Sequence, residues 1–239
     1  MGSKAANTSK TLTEVYNRLF EHYGPQHWWP GDSPFEVIIG AILTQSTAWA
    51  NVEKAIANLK TAGLLDPESL DAIATDKLAA LIRPSGYYNA KAAKLKAFVE
   101  RLHDGYGGSL DRLFALDTAA LRQELLSIHG IGPETADSIL LYAAHRPIFV
   151  IDAYTKRIIE RLGIAPTHNS YEAFQQLFMS NLLHDEGMFN EYHALLVRHG
   201  KDVCRKTPRC EGCCLASLSK KRCPSSTGRT GGTGGAPQI

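Results

Sequence analysis

The chain has 239 residues, 44% of them apolar and 21% charged, which suits one large globular domain or two small ones. No apolar run approaches the roughly 20 residues that cross a bilayer, so no membrane-spanning helix is expected. Residues 1–10 lack the apolar core of a signal peptide, and a cytoplasmic protein is expected. Net charge is only +2, so composition alone announces no nucleic-acid partner.

In chain order the elements read as helices. Residues 11–23 carry Leu12, Val15, Tyr16, Leu19 and Phe20 at helical spacing. Pro25, Pro30, Gly31 and Pro34 punctuate a link that holds Trp28 and Trp29. Helical runs follow over 35–44 and 49–59, separated by Gln45-Ser46-Thr47, then near 67–74, 75–82, 90–105 and 111–115. Residues 118–128 are amphipathic and end in His129-Gly130-Ile131-Gly132. Pro133 suits the first turn of the next helix, which runs to about residue 145. Residues 147–151 are a short β-branched stretch, and Asp152 stands where an N-cap belongs before a helix over 153–162. Helices over 171–183 and 189–199 complete the pattern, and the Gly/Ser/Thr-rich tail over 224–239 reads as disordered. No alternating strand pattern stands out, so the fold class is all-α.

The C-terminal part is chemically distinct. Arg198, Lys201, Arg205, Lys206, Arg209, Lys220, Lys221, Arg222 and Arg229 face only Asp202 and Glu211 between residues 198 and 229. Such a block either neutralises phosphates or is a solvated tail. All five cysteines, Cys204, Cys210, Cys213, Cys214 and Cys223, crowd into the same region. That clustering favours a metal or iron–sulfur site over scattered disulfides.

The segment from Leu125 to Ala136 places Gly130-Ile131-Gly132 between two amphipathic helices. Glycine allows a tight path, Ile131 can anchor the hairpin in the core, and the N–H groups opening the second helix can take a phosphate. Asp152 follows Gly132 by 20 residues. On its own, Asp152 is read most simply as a helix cap. Joined to the hairpin, the arrangement resembles the helix-hairpin-helix, Gly/Pro-rich loop and aspartate motif of the endonuclease III-like DNA glycosylases. Ile42-Leu43-Thr44-Gln45-Ser46-Thr47 resembles the family segment whose glutamine fills the space left by an extruded base. Arg83-Pro84-Ser85-Gly86-Tyr87 resembles the loop that wedges into the duplex, with Tyr87 at the wedge position.

The resemblance implies a two-lobed all-α protein with Asp152 as catalytic carboxylate in the cleft. Its expected parts are an N-terminal helix and link (1–34), a helical bundle with the hairpin (35–147), a C-terminal helical lobe (148–203) and a cysteine loop (204–223). Bifunctional members carry a lysine two residues after the last hairpin glycine. Here that residue is Glu134, and no lysine lies between Leu125 and Tyr154. A glutamate cannot form the imine that cuts the strand, so a monofunctional, water-using glycosylase is expected.

Trp28-Trp29-Pro30 together with Leu43-Thr44-Gln45 and the Arg83-Pro84-Ser85-Gly86 loop resembles the 3-methyladenine DNA glycosylase III branch, which also has glutamate at the position of Glu134. That branch implies a base pocket formed by Trp28 or Trp29 with Trp49, beside Glu134; the alternative is that these indoles only fill an interface. Aromatic faces would hold a cationic alkylpurine. Lys201 matches a lysine of that branch and equally suits a phosphate contact. Cys204, Cys210, Cys213 and Cys223 resemble the ligands of a [4Fe-4S] cluster, although the first gap is shorter and the last longer than in the family. Cys214 is a spare candidate, and zinc is the alternative metal. The partner implied is double-stranded DNA with a damaged base, bound by a monomer. A different lesion, or a non-catalytic iron–sulfur damage binder, are the competing functions.

Overall fold

The computed structural model describes residues 2–219, with side chains from residue 7. Cys223 and the tail over 224–239 lie outside the described residues. Within them there are helices and turns but no strand, and residues 147–151 have no regular structure.

Twelve α-helices are present among the described residues: α1 (Gly2–Tyr23), α2 (Pro34–Leu43), α3 (Trp49–Thr61), α4 (Pro67–Ala72), α5 (Thr75–Leu81), α6 (Tyr88–Tyr106), α7 (Leu110–Phe114), α8 (Thr118–Ser127), α9 (Pro133–Tyr142), α10 (Ala153–Leu162), α11 (Tyr171–Met179) and α12 (Glu186–Asp202). Where the bounds depart from the periodicity, local hydrogen bonds explain it. Asp185 caps α12 by accepting from Met188 N–H, so that helix starts at Glu186, three residues before its first buried residue, Phe189. α9 stops at Tyr142 because His145 takes a left-handed backbone (φ 53°) and Arg146 N–H turns back to the Leu140 carbonyl at 2.8 Å. α1 begins at Gly2, because the Lys4-Ala5-Ala6 start forms helix readily without any apolar stripe.

The helices form two packed groups. α2, α3, α5, α6, α8 and α9 make one, with α4 and α7 against α6. α2 is apolar apart from Glu36 and buried from Phe35 to Leu43, as befits a central helix. The second group is α1, α10 and α12, where Phe149 stacks on Phe178 (3.8 Å between ring centres) beside Phe189 and Tyr192. Tyr192 donates its hydroxyl to the Leu12 carbonyl at 2.8 Å, which fixes α1 on α12 across 180 residues of sequence. α9 packs against α2, α8 and α12 and so joins the two groups. Its N-terminus carries the hairpin and its C-terminus carries Tyr142.

Candidate active site and DNA-facing elements

The hairpin is built by closing a turn between α8 and α9. Ile131 N–H donates to the Ile128 carbonyl at 3.1 Å, and Gly130 adopts φ 83°. Ile131 is 5% exposed and pins the turn into the core. Gly132 is the N-cap of α9 and supplies no side chain to the first-turn N–H groups, which leaves them for an external acceptor.

Gln45 lies against this hairpin. Its Nε2 donates to the Gly130 carbonyl (3.1 Å) and to Thr135 Oγ1 (2.9 Å), while its Oε1 accepts from Lys94 Nζ (2.5 Å). Tyr87 is the opposite case. It sits at φ 46° ahead of α6 and is 76% exposed, a large aromatic held out into solvent.

Asp152 caps α10, accepting from Thr155 N–H at 2.7 Å through Oδ1. Its other oxygen is not used by the cap, and the residue is half-buried. Glu134 lies close by at the start of α9. Desolvation by the surrounding protein, then the Asp152 charge, pushes the Glu134 carboxyl up to about 7, with Lys156 opposing. Glu134 still faces solvent, so covering the cleft with DNA would desolvate it further.

Two residues at this site had no place in the sequence reading. Tyr142 and His193 are buried and joined, Tyr142 Oη to His193 Nδ1, at 2.6 Å. Burial and the nearby Asp152 hold the phenol well above its usual range, so Tyr142 is a neutral donor. His193 Nε2 is buried with no hydrogen-bond partner. A tyrosine and a histidine inside apolar helical stretches give only the signal of core residues, so sequence could not assign them. Lys156 was also missed. It lies one turn into α10, beyond the lysine-free interval from Leu125 to Tyr154, and the fold brings its charge toward Glu134.

The tryptophans converge. Trp28, Trp29 and Trp49 have ring-centre separations of 5.0, 4.7 and 5.3 Å, and Trp29 continues to Tyr142 at 5.3 Å. Gly40 permits this, since a Cβ there would stand 3.0 Å from the Trp29 ring. A cavity of about 220 Å³ is lined by Trp29, Pro30, Gly40, Trp49 and Glu53, among others. That is below the roughly 300 Å³ at which pockets for drug-sized ligands begin. Trp28 does not line it, and neither do Asp152 or Glu134. Trp29 is the link, lining the cavity and meeting Tyr142 beside the carboxylates.

Lys201 is exposed in the last turn of α12, next to the cysteine loop. There Arg161 donates to Cys204 Sγ at 3.1 Å, and His199 Nε2 stands 3.6 Å from Cys213 Sγ. Backbone N–H groups of Leu215 and Ala216 point at the Cys213 sulfur. Cys204, Cys213 and Cys214 are free thiols. No three His, Cys, Asp or Glu side chains converge as a metal-binding group among the described residues. The soft donors and the N–H groups aimed at them suit a thiolate-bound cluster in chemistry.

With this geometry in hand, comparison with known proteins is specific. The HhH-GPD superfamily of base excision DNA repair proteins matches residues 39–183. A protein of Methanocaldococcus jannaschii, provisionally named a DNA repair glycosylase, is 46% identical over 208 residues, 87% of this chain and 94% of its own. Endonuclease III of Sulfolobus acidocaldarius is 30% identical over 188 residues, 78% of this chain and 81% of its own. Among solved structures, the H. pylori 3-methyladenine DNA glycosylase bound to 1,N6-ethenoadenine superposes with a TM-score of 0.71 at 28% identity, over 81% of this chain and 97% of that one. A non-covalent endonuclease III–DNA complex superposes at 0.77 with 23% identity, over 89% and 95%, a likeness of fold. The chain belongs to the HhH-GPD superfamily of base excision DNA repair proteins, as a DNA glycosylase.

Proposed function

We propose that this glycosylase is monofunctional and hydrolyses the N-glycosidic bond of alkylated purines such as 3-methyladenine in duplex DNA, acting as a monomer. The observation that carries the reading is a capped carboxylate, Asp152, beside Glu134 where a lyase needs an amine, at the end of an aromatic run from Trp49 through Trp29 to Tyr142. Likeness to the H. pylori enzyme supports the same choice of base.

DNA phosphates would sit on the open N–H groups at Gly132 and the start of α9, with the exposed basic residues near Lys201 adding charge. Tyr87 enters the stack, Gln45 fills the gap from its place beside the hairpin, and the extruded purine lies against Trp29 and Trp49. As the bond to C1′ breaks, its electron pair leaves with the base and neutralises the alkylpurine cation. Asp152 stabilises the sugar cation that remains and takes a proton from the water that adds to C1′.

Duplex DNA carrying methylated purines should release 3-methyladenine with this protein, and borohydride should trap no protein–DNA adduct. Capture of an adduct would overturn the monofunctional assignment and point to Lys156 as the amine. Release of only some other base would overturn the substrate. Tight binding to damaged DNA with no release at all would make the protein a damage binder.

The cysteine loop is proposed to hold a [4Fe-4S] cluster through Cys204, Cys210, Cys213 and Cys223, in a structural role that shapes the basic loop. Bound as a cluster, these thiolates would give visible absorption, with iron and acid-labile sulfide in equal amounts after anaerobic reconstitution. Zinc alone in the purified protein, or no metal retained after reconstitution, would reject it.

A further inference from the structure

Lys91 is one of the largest fully buried side chains in the molecule, at 2% exposure. Its ammonium donates to two backbone carbonyls, Leu43 at 2.8 Å and Ser85 at 2.6 Å, and no carboxylate pairs with it among the described residues. Burying an ammonium on carbonyls alone is costly, and an apolar side chain of similar volume would pack there without that cost. The lysine therefore calls for a reason beyond packing.

The two carbonyls supply one. Leu43 ends α2 and leads directly into Thr44 and Gln45, the segment tied to the hairpin. Ser85 ends the 3₁₀ turn Arg83–Ser85 and leads into Gly86 (φ 67°) and Tyr87 (φ 46°). One turn further along α6, Lys94 donates to Gln45 Oε1. Its alkyl stem lies on Gly130, where a Cβ would stand 2.3 Å from Lys94 Cγ. The first turns of α6 thus grip the glutamine segment, the tyrosine loop and the hairpin.

We infer that Lys91 is a positioning residue that locks the Gln45 segment to the Tyr87 loop, so that both enter the duplex together at a fixed spacing. The inference rests on the reading above in which these two side chains penetrate DNA. Burial and the neighbouring Lys94 hold the ammonium down at about 8, so it remains charged and able to grip both carbonyls at neutral pH.

The test uses the full chain and a duplex with a tetrahydrofuran abasic analogue next to 2-aminopurine, whose fluorescence rises when stacking is broken. Because no base is released, the readout is independent of glycosylase chemistry. Lys91→Met should bind this duplex within about threefold of wild type, yet lose most of the fluorescence rise at equal fractions bound. Combined with Tyr87→Ala it should cause no further loss, because the two act through one unit. Should Lys91→Met not fold, Lys94→Met keeps the stem over Gly130 and removes only the bond to Gln45. It should melt as wild type does and still reduce the rise about twofold or more. A wild-type rise in either folded variant, or no rise with wild type itself, overturns the inference. Failure of wild type to release any base, with the fluorescence pattern as described, would instead count against the proposed function alone.

Discussion

Asp152→Asn should lower the rate of base release by about a thousandfold or more, while affinity for abasic DNA stays within a few-fold of wild type. The amide can still accept from Thr155 N–H as Oδ1 does, so α10 keeps its cap and the fold its stability. What it loses is the negative charge opposite the developing sugar cation and the ability to take a proton from water. Single-turnover release assays beside a binding titration separate the two effects. Activity close to wild type would return Asp152 to the role of a plain helix cap. Asp152→Ala should be as inactive but also less stable by about 1 kcal/mol, the usual cost of losing an N-cap, so comparing the two variants separates cap from catalyst.

Arg122→Met should destabilise the protein by about 3–5 kcal/mol, the usual result of removing one partner of a buried ion pair. Asp137 is completely buried on α9, and its carboxylate accepts from Arg122 of α8 at 2.7 and 3.1 Å and from Gln175 of α11 at 2.7 Å. Gln175 also donates to the Phe149 carbonyl at 2.9 Å, so this cluster braces both the hairpin helices and the segment that delivers Asp152. Without Arg122 the Asp137 carboxylate is left buried without its cation, the costly half of a broken ion pair. Denaturant melts of the variant beside wild type check the magnitude. Arg122→Met with Asp137→Leu should recover much of the loss, and no recovery would mean that packing around the arginine matters more than charge.

Several parts of this protein were legible because they are local. The 3.6-residue apolar period marks the helices, glycine marks the left-handed turn at Gly130, and the aspartate before residues 153–162 marks a cap whose hydrogen bond spans only three residues. The replacement of lysine by Glu134 is likewise a single-position fact with a chemical meaning of its own. By contrast, nothing in the sequence ranked Trp28 against Trp29. Their packing differs, since Gly40 makes room for Trp29 and the cavity is lined by Trp29 and not by Trp28.

The sequence by itself determined an all-helical chain, a hairpin ready for phosphate, and the absence of an amine at the usual place on α9. These follow from nearest-neighbour sterics and from side-chain chemistry, which need no knowledge of distant residues. Only the tertiary structure decided that Glu134 stands beside Asp152 with Lys156 in range, and that a buried Tyr142–His193 pair lies behind them. It alone showed one buried lysine holding two segments at Leu43 and Ser85, which lie 48 and 6 residues before it and so 42 apart in sequence. The physical reason is that burial, desolvation and hydrogen-bond partnership depend on what lies within a few ångströms, and for these groups the neighbours come from other helices.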